Sequence, residues 1–319
     1  MDAEHPSYLV LAYYCLTPIA DPVTEVEKHN KFFDGRDVAG RIYLSEEGIN
    51  GQMSGSHADA WAYMDWLHSD ERFASMPFKL HPSDQNVFAK MKIKTRKQLV
   101  ALDAKVDPRK GGEHVSPKRW KKMVEELNSG CENRILLDVR NDYEWKVGHF
   151  QGSFLPECAT FREFPRYVKE LKKQYDPKKT EVMMCCTGGI RCELYSALLK
   201  DEGFEEVYQL DGGIINYGLH EGSACWEGKL FVFDDRMVIP ISDDEHTVIT
   251  SCSQCQAPSD DYYNCANMDC NALFVCCKSC LDDYHGCCEQ ACRQAARVRP
   301  LAEQDPHKPF RKWYHYFKE

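Results

Sequence analysis

The sequence predicts a multidomain chain of mixed α/β and α+β class, built from three units. Residues 1–105 carry strand and helix signals in the order βαββαβ, an α+β arrangement. Residues 117–228 alternate buried-type strands with amphipathic helices, which indicates an α/β domain with a parallel sheet. Ten of the 17 cysteines fall between Cys252 and Cys292, so residues 229–319 read as a cysteine-rich, metal-binding module. A basic linker, residues 106–116, joins the first two units.

The first unit opens with the apolar run 7–16, read as a buried strand. The run is short, follows acidic residues and ends before Pro18, which suits a strand better than an export signal. Residues 23–33 read as a helix with Pro22 in its first turn. A strand at 38–44 follows, then a turn at Glu47-Gly48-Ile49-Asn50-Gly51, signalled by Asn-Gly, and a short strand near 52–54. Residues 57–69 form a second helix, with Trp61, Met64 and Leu67 in register. Strands near 78–81 and 88–99 complete the set. The order βαββαβ is that of a ferredoxin-like unit.

Charge is uneven along the chain. Residues 86–122 hold twelve Lys/Arg against three Asp/Glu, a net of +9 in a chain whose total is −10, which leaves −19 elsewhere. A basic patch on an acidic protein suits a selective polyanion site better than non-specific coating. In Lys90-Met91-Lys92-Ile93-Lys94-Thr95-Arg96 the basic residues take every second position. On a strand, Lys90, Lys92, Lys94 and Arg96 then share one face, with Met91 and Ile93 toward the core. The plain alternative is a solvated sheet face. Arg109, Lys110, Lys118, Arg119, Lys121 and Lys122 add charge nearby. Asp107-Pro108-Arg109-Lys110-Gly111-Gly112 has the composition of a linker.

In the second unit a helix is expected at 117–128, a strand at 135–139, a helix at 167–173, a strand at 182–185, a helix at 192–200 and a strand at 207–210. Cys186-Thr187-Gly188-Gly189-Ile190-Arg191 follows the 182–185 strand and leads into a helix. The loop then lies at the carboxyl end of a parallel strand, where ligands bind. Free amides, a helix dipole and Arg191 all favour thiolate over thiol at Cys186. A thiolate is a nucleophile, and loop amides at Thr187, Gly188, Gly189 and Ile190 make an anion cradle. A structural buried thiol is the common reading of a lone cysteine, but Gly188-Gly189 serves no purpose beside one. Cys192 either resolves an oxidised or persulfidated Cys186 or packs the first helical turn. Cys185 should point the other way, into the core.

The segments Ile135-Leu136-Leu137-Asp138-Val139-Arg140-Asn141-Asp142-Tyr143-Glu144 and Gly148-His149-Phe150-Gln151-Gly152-Ser153, the cysteine loop, and Asp211-Gly212-Gly213-Ile214 together resemble the ordered signatures of rhodanese domains. The resemblance implies that Cys186 is the residue that carries sulfur as a persulfide, held by loop amides and Arg191. Asp138, Arg140 and Glu144 are then expected to hold the fold. Related phosphatases have one more residue between cysteine and arginine than the four found here. With the Glu47–Gly51 segment, Cys186–Glu193 and the cysteine-rich tail, the whole chain resembles the rhodanese-like tRNA uridine hydroxylases. This implies oxygen-dependent formation of 5-hydroxyuridine at the tRNA wobble position. Molecular oxygen is then a co-substrate, the tRNA anticodon loop the partner and the loop cysteine essential. No flavin or nicotinamide motif and no iron facial triad is found.

In the third unit Cys252-x2-Cys255, Cys265-x4-Cys270, Cys277-x2-Cys280 and Cys288-x3-Cys292 form four ligand-like pairs. Eight thiolates suit two closed tetrahedral zinc sites, with the first pair joined to the third and the second to the fourth. Cys276, Cys287 and His285 are adjacent alternatives. Reduced thiols, disulfides or an iron–sulfur cluster are the competing readings. Residues 303–319, with Lys308, Arg311, Lys312, Trp313, Tyr314 and Tyr316, are basic and aromatic.

No apolar run approaches the roughly 20 residues of a membrane helix, so a cytoplasmic protein with no membrane partner is expected. Two other functions compete with hydroxylation. One is a sulfurtransferase that takes sulfur from a donor onto Cys186 and passes it to an RNA or protein acceptor. The other is a non-catalytic RNA-binding module.

Overall fold

Residues 6–301 of the 319 are described by the structure, a computed structural model. The basic, aromatic stretch 303–319 lies outside the described residues.

The N-terminal unit runs β1 (Tyr8–Leu16), α1 (Pro22–Phe33), β2 (Val38–Ser45), β3 (Gly48–Ser56), α2 (His57–His68), β4 (Lys79–Ser83) and β5 (Met91–Thr95). Its strands form one sheet in the order β4-β1-β3-β2-β5. The first four are antiparallel, and β5 adds to the edge parallel to β2. The βαββαβ arrangement is therefore present. Asp21 and Ser56 cap the two helices with side-chain oxygens. Leu11, Tyr13, Ile42, Leu44, Ile49 and Met53 face those helices and form one core with Phe33, Tyr63 and Leu67.

Two expectations are corrected here. Asn50-Gly51 is no turn. The hairpin turns at Glu46–Glu47, and β3 runs nine residues through the Asn-Gly pair. Gly51 is required for space: a Cβ there would fall 2.2 Å from the Tyr13 ring on β1. The expected strand at 88–99 shrinks to Met91–Thr95.

The central unit contains β6 (Glu113–Val115), α3 (Pro117–Asn128), β7 (Arg134–Asp138), α4 (Asp142–Trp145), β8 (Gly148–Phe150), α5 (Phe164–Gln174), β9 (Glu181–Cys185), α6 (Ile190–Asp201), β10 (Val207–Leu210), α7 (Gly213–Glu221) and β11 (Trp226–Gly228). Its parallel sheet has the order β6-β10-β9-β7. Side chains alternate across it, so one core forms around Val182, Met184 and Leu137 and a second around Met183, Leu136 and Trp120. The segment read as a linker is largely part of this unit. Residues 113–115 form the edge strand β6 and Val106 packs on the central core, as do Val100, Leu102 and Ala104 just before it, which the sequence places in the first unit. Its Lys, Arg, Pro and Gly content conceals those few apolar anchors.

The last described unit holds β12 (Leu230–Phe231), β13 (Val238–Ile239), β14 (Tyr262–Asn264), β15 (Leu273–Val275), α8 (Lys278–Asp283) and α9 (Gln290–Arg293). Its small core is made chiefly of cysteine. Tyr262 donates a hydrogen bond to the Tyr143 carbonyl at 2.8 Å and packs with Val147, which fixes it against the central unit. Among the described residues no helix is long and apolar enough to cross a membrane.

Candidate active site

Cys186 directly follows β9, an inner strand of the parallel sheet, and the loop to Gly189 delivers the chain into α6. Gly189 has φ of +102° and stands so close to the Tyr14 hydroxyl that a Cβ would lie 2.9 Å from it. Glycine is needed there on both counts. The N–H groups of Ile214 and Ile215 donate to the Cys186 and Thr187 carbonyls at 2.9 and 3.1 Å. The Asp211–Ile214 segment thus ties the loop carbonyls to α7, while the Gly189 N–H faces sulfur and donates to Cys186 Sγ at 3.1 Å.

Cys186 is fully buried, and burial pushes its thiol up. The Cys192 thiol, the Arg191 charge and the Cys192 and Gly189 amides outweigh this and bring it down to about 5. The thiolate is therefore the resting form at neutral pH. Cys192 shifts the opposite way, well above its ordinary value, through burial and through its hydrogen bond to Cys186. It remains a proton donor to its neighbour. Cys185 points to the opposite core, with its thiol also raised by burial.

Arg191 does not reach the sulfur directly. Its guanidinium forms a fork with Glu144, at 2.5 and 2.8 Å, and a longer bond to Thr187 Oγ1 at 3.3 Å. Glu144 is fully buried on α4 and also accepts from the Thr187 hydroxyl at 3.1 Å. Glu144 thus fixes the loop itself, a closer role than general support of the fold. Asp138 and Arg140 pair with each other at 2.6 Å in full burial, and Arg140 donates to the Gly148 carbonyl. They hold β8 to the end of β7.

The N-terminal sheet closes the site from above. Lys79 on β4 donates from Nζ to the Gly188 carbonyl at 2.9 Å and lies over the Tyr14 ring. Burial pulls its ammonium down, opposed by the negative charge of Cys186, Asp211 and Glu193. Tyr14 on β1 donates to Glu193 at 2.8 Å, and His114 on β6 bonds the same carboxylate at 3.0 Å. Burial disfavours the Glu193 charge, but these partners hold its carboxyl below the usual range. Lys79, Tyr14 and Glu193 were not singled out from sequence. The Tyr14–Glu193 and Lys79–Gly188 bonds cross an interface between residues more than a hundred positions apart, so no local spacing signals them.

Between sheet and loop lies a cavity of about 370 Å³, lined by Tyr14, Tyr43, Asn50, Gln52, Lys79, Cys186, Thr187, Arg191 and Phe233 among others. That is within the size range of small-ligand sites, about 300–1,000 Å³. Strand register places the basic strand relative to it. Arg41 pairs with Lys92 and Tyr43 with Lys94, so both lysines share the sheet face that covers the cavity. Lys90, Lys92, Lys94 and Arg96 are all exposed, with Met91 and Ile93 packed against the core. Arg96 stacks over the Tyr43 ring at 4.7 Å. Several basic residues farther along are ion-paired at the surface, Arg109 with Asp107, Arg119 with Glu113, and Lys121 with Glu221.

Away from the cavity, the eight paired cysteines gather as two sets of four: Cys252, Cys255, Cys277 and Cys280, and Cys265, Cys270, Cys288 and Cys292. Within each set the sulfurs lie within 4.8 Å of one another. Cys255–Cys277 and Cys270–Cys288 are 3.7 Å apart and Cys288–Cys292 is 3.9 Å. A tetrahedron of sulfurs about 2.3 Å from a metal has edges of about 3.8 Å. The donor sets therefore fit a metal ion each. Cys276 lies 3.9 Å from Cys252, beside the first set.

Comparison with known proteins gives the same three units. Residues 8–99 match the UPF0176 acylphosphatase like domain, residues 117–219 the rhodanese-like domain and residues 227–293 the rhodanase C-terminal domain. A tRNA uridine(34) hydroxylase of Protochlamydia amoebophila is 58% identical over 318 residues, 99% of this chain and 98% of that protein. Proteins of the same name from Chlamydia trachomatis serovar L2 and Chlamydia abortus are 53% and 52% identical, over 96% and 97% of this chain and 93% and 94% of theirs. With a rhodanese loop on a parallel sheet, and such identity from end to end, the chain belongs to the tRNA uridine(34) hydroxylase family.

Proposed function

We propose that this protein hydroxylates uridine 34 of tRNA in the cytoplasm, with Cys186 as its reactive group. The observation that carries this reading is a resting thiolate set against a base-sized cavity, under a sheet face that continues into the Lys92–Lys94 strand. An anticodon base is already single-stranded, so little unstacking is needed to bring it in. Lys90, Lys92, Lys94 and Arg96 engage backbone phosphates outside the cavity.

The overall change replaces C5–H of the uracil ring by C5–OH. Molecular oxygen is the oxidant. One oxygen atom ends on C5; the other leaves as water, using two electrons and two protons from a thiol-type sulfur donor that becomes its disulfide. Cys186 Sγ attacks C6, the C5=C6 electron pair moves onto the C5–C4–O4 enolate, C5 adds to oxygen and gains a proton to give the C5 hydroperoxide, and the thiol donor reduces its O–O bond to leave C5–OH and water. Loss of the C5 proton and expulsion of the thiolate restore the ring. The Gly189 and Cys192 amides hold the sulfur, Arg191 and Lys79 stabilise its charge, and Glu144 positions Arg191 and Thr187.

The two tetrathiol sets hold structural zinc in this reading. Four protein ligands leave no open position, so the metal supplies fold stability and no chemistry. Colourless protein with zinc supports the assignment; coloured protein with iron rejects it.

Sulfur transfer to RNA from a Cys186 persulfide is the competing chemistry, and family membership does not favour it. Nucleoside mass spectrometry of tRNA from a deletion strain separates the two. Loss of 5-hydroxyuridine with thiolated bases intact is expected. Loss of a thiolated base with 5-hydroxyuridine intact would reject the proposal.

A further inference from the structure

The segment Gly48-Ile49-Asn50-Gly51-Gln52 has no role in the chemistry described so far, yet it forms the first half of β3, the middle strand of the N-terminal sheet. Asn50 and Gln52 are two residues apart on one strand, so their side chains leave the same face about 7 Å apart. That face is the one over Cys186, and both residues line the cavity. Each is half-buried. Neither amide has a hydrogen-bond partner among the described residues, although the side chains around them are well connected: Tyr14 to Glu193, Arg41 to the Phe233 carbonyl and Lys79 to the Gly188 carbonyl. Strand register sets Tyr14 and Tyr43 on either side of Asn50. Gly51 between the two amides faces the opposite side, where only glycine clears the Tyr13 ring. The Asn-Gly-Gln order is therefore built to aim two amides at one cavity.

Uracil presents an acceptor, a donor and an acceptor along its O2, N3–H and O4 edge. A carboxamide offers both a donor and an acceptor. We infer that Asn50 and Gln52 bind the polar edge of the target uracil and set its C5–C6 bond against Cys186. This rests on the reading of the cavity as the uridine site. The amides act as specificity-determining residues, while the phosphate-facing lysines supply most of the affinity.

The test uses the full chain with Asn50→Ala, Gln52→Ala, the double variant and the near-isosteric Asn50→Asp and Gln52→Glu. A carboxylate keeps the side-chain size but turns the NH2 donor into an acceptor facing O2 or O4. Three readouts apply: 5-hydroxyuridine in tRNA from a deletion strain carrying each variant, the Kd of purified protein for tRNA, and ultraviolet crosslinking to an anticodon stem-loop with 4-thiouridine at position 34. Each single variant should lower hydroxylation by about 10-fold or more. The tRNA Kd should move less than about 2-fold. In the wild type the crosslink should map to β3 or the Cys186 loop, and the double variant should lose it. Wild-type hydroxylation and crosslinking in the double variant, with Cys186→Ala inactive, would overturn the amide assignment and leave the proposed function standing. A crosslink that maps to the cysteine-rich module would also overturn it. Retained 5-hydroxyuridine in Cys186→Ala would instead reject the reading of the site itself.

Discussion

Cysteine occurs in two settings here, and the contrast explains what each does. In the C-terminal module eight thiols converge in two sets of four, and within each set the sulfurs lie within 4.8 Å of one another. At the end of β9 one thiol accepts from the Gly189 amide, feels the charge of an Arg191 guanidinium held by Glu144, and lines a cavity. Four donors converging on a point make a closed metal site with nothing left to react. One thiolate beside an opening makes a nucleophile. The residue type is common to both; the number of converging neighbours and the open side decide the chemistry.

The largest effect that separates the two settings is metal removal. Binding of structural zinc is worth about 10–16 kcal/mol per site in small modules. Elemental analysis should give two ions per chain. Cys277→Ser should lower this to one or none and expose residues 252–292 to protease, with the central unit still folded because the cysteine core shares no residue with the two cores around its parallel sheet. Full metal content in that variant would break the contrast.

The loop should respond to a different change. Glu144→Ala strands the buried Arg191 charge. Breaking one partner of such a pair costs about 3–5 kcal/mol, readable as a lower midpoint in urea. A loss below about 1 kcal/mol would mean that the fork does not hold the loop.

A smaller effect is on ionisation. Alkylation of Cys186 should follow its thiolate fraction, with an inflection near about 5: reactive above that pH, protected as pH falls through it. Cys192→Ala removes a hydrogen bond to the charged form, so the inflection should move to higher pH. Cys255→Ser should leave it in place. An unmoved inflection in Cys192→Ala would deny Cys192 its part in activating the neighbour.

The sequence reveals features made by nearby residues. The Cys186 loop, the alternation of Lys90 to Arg96 and the four cysteine pairs are each visible within a few positions, because strand period, glycine turns and chelate spacing are local rules. Features made across the fold are hidden. Lys79 reads as one residue of a short strand, and only the packed interface brings its ammonium to the Gly188 carbonyl. Glu144 sits in a motif that reads as structural, and its fork to Arg191 spans 47 residues. Asn50-Gly51 carries a turn signal that the Tyr13 ring overrides, since the strand needs glycine for space as strongly as a turn needs it for φ. Residues 106–116 have a linker's composition, yet three of them pair with β10.

The most direct test of the central claim is the 5-hydroxyuridine content of tRNA from a deletion strain that expresses Cys186→Ala at wild-type level. A reactive thiolate at the cavity predicts none above the deletion background, with normal levels restored by the wild-type chain. Normal 5-hydroxyuridine in the Cys186→Ala strain would contradict it.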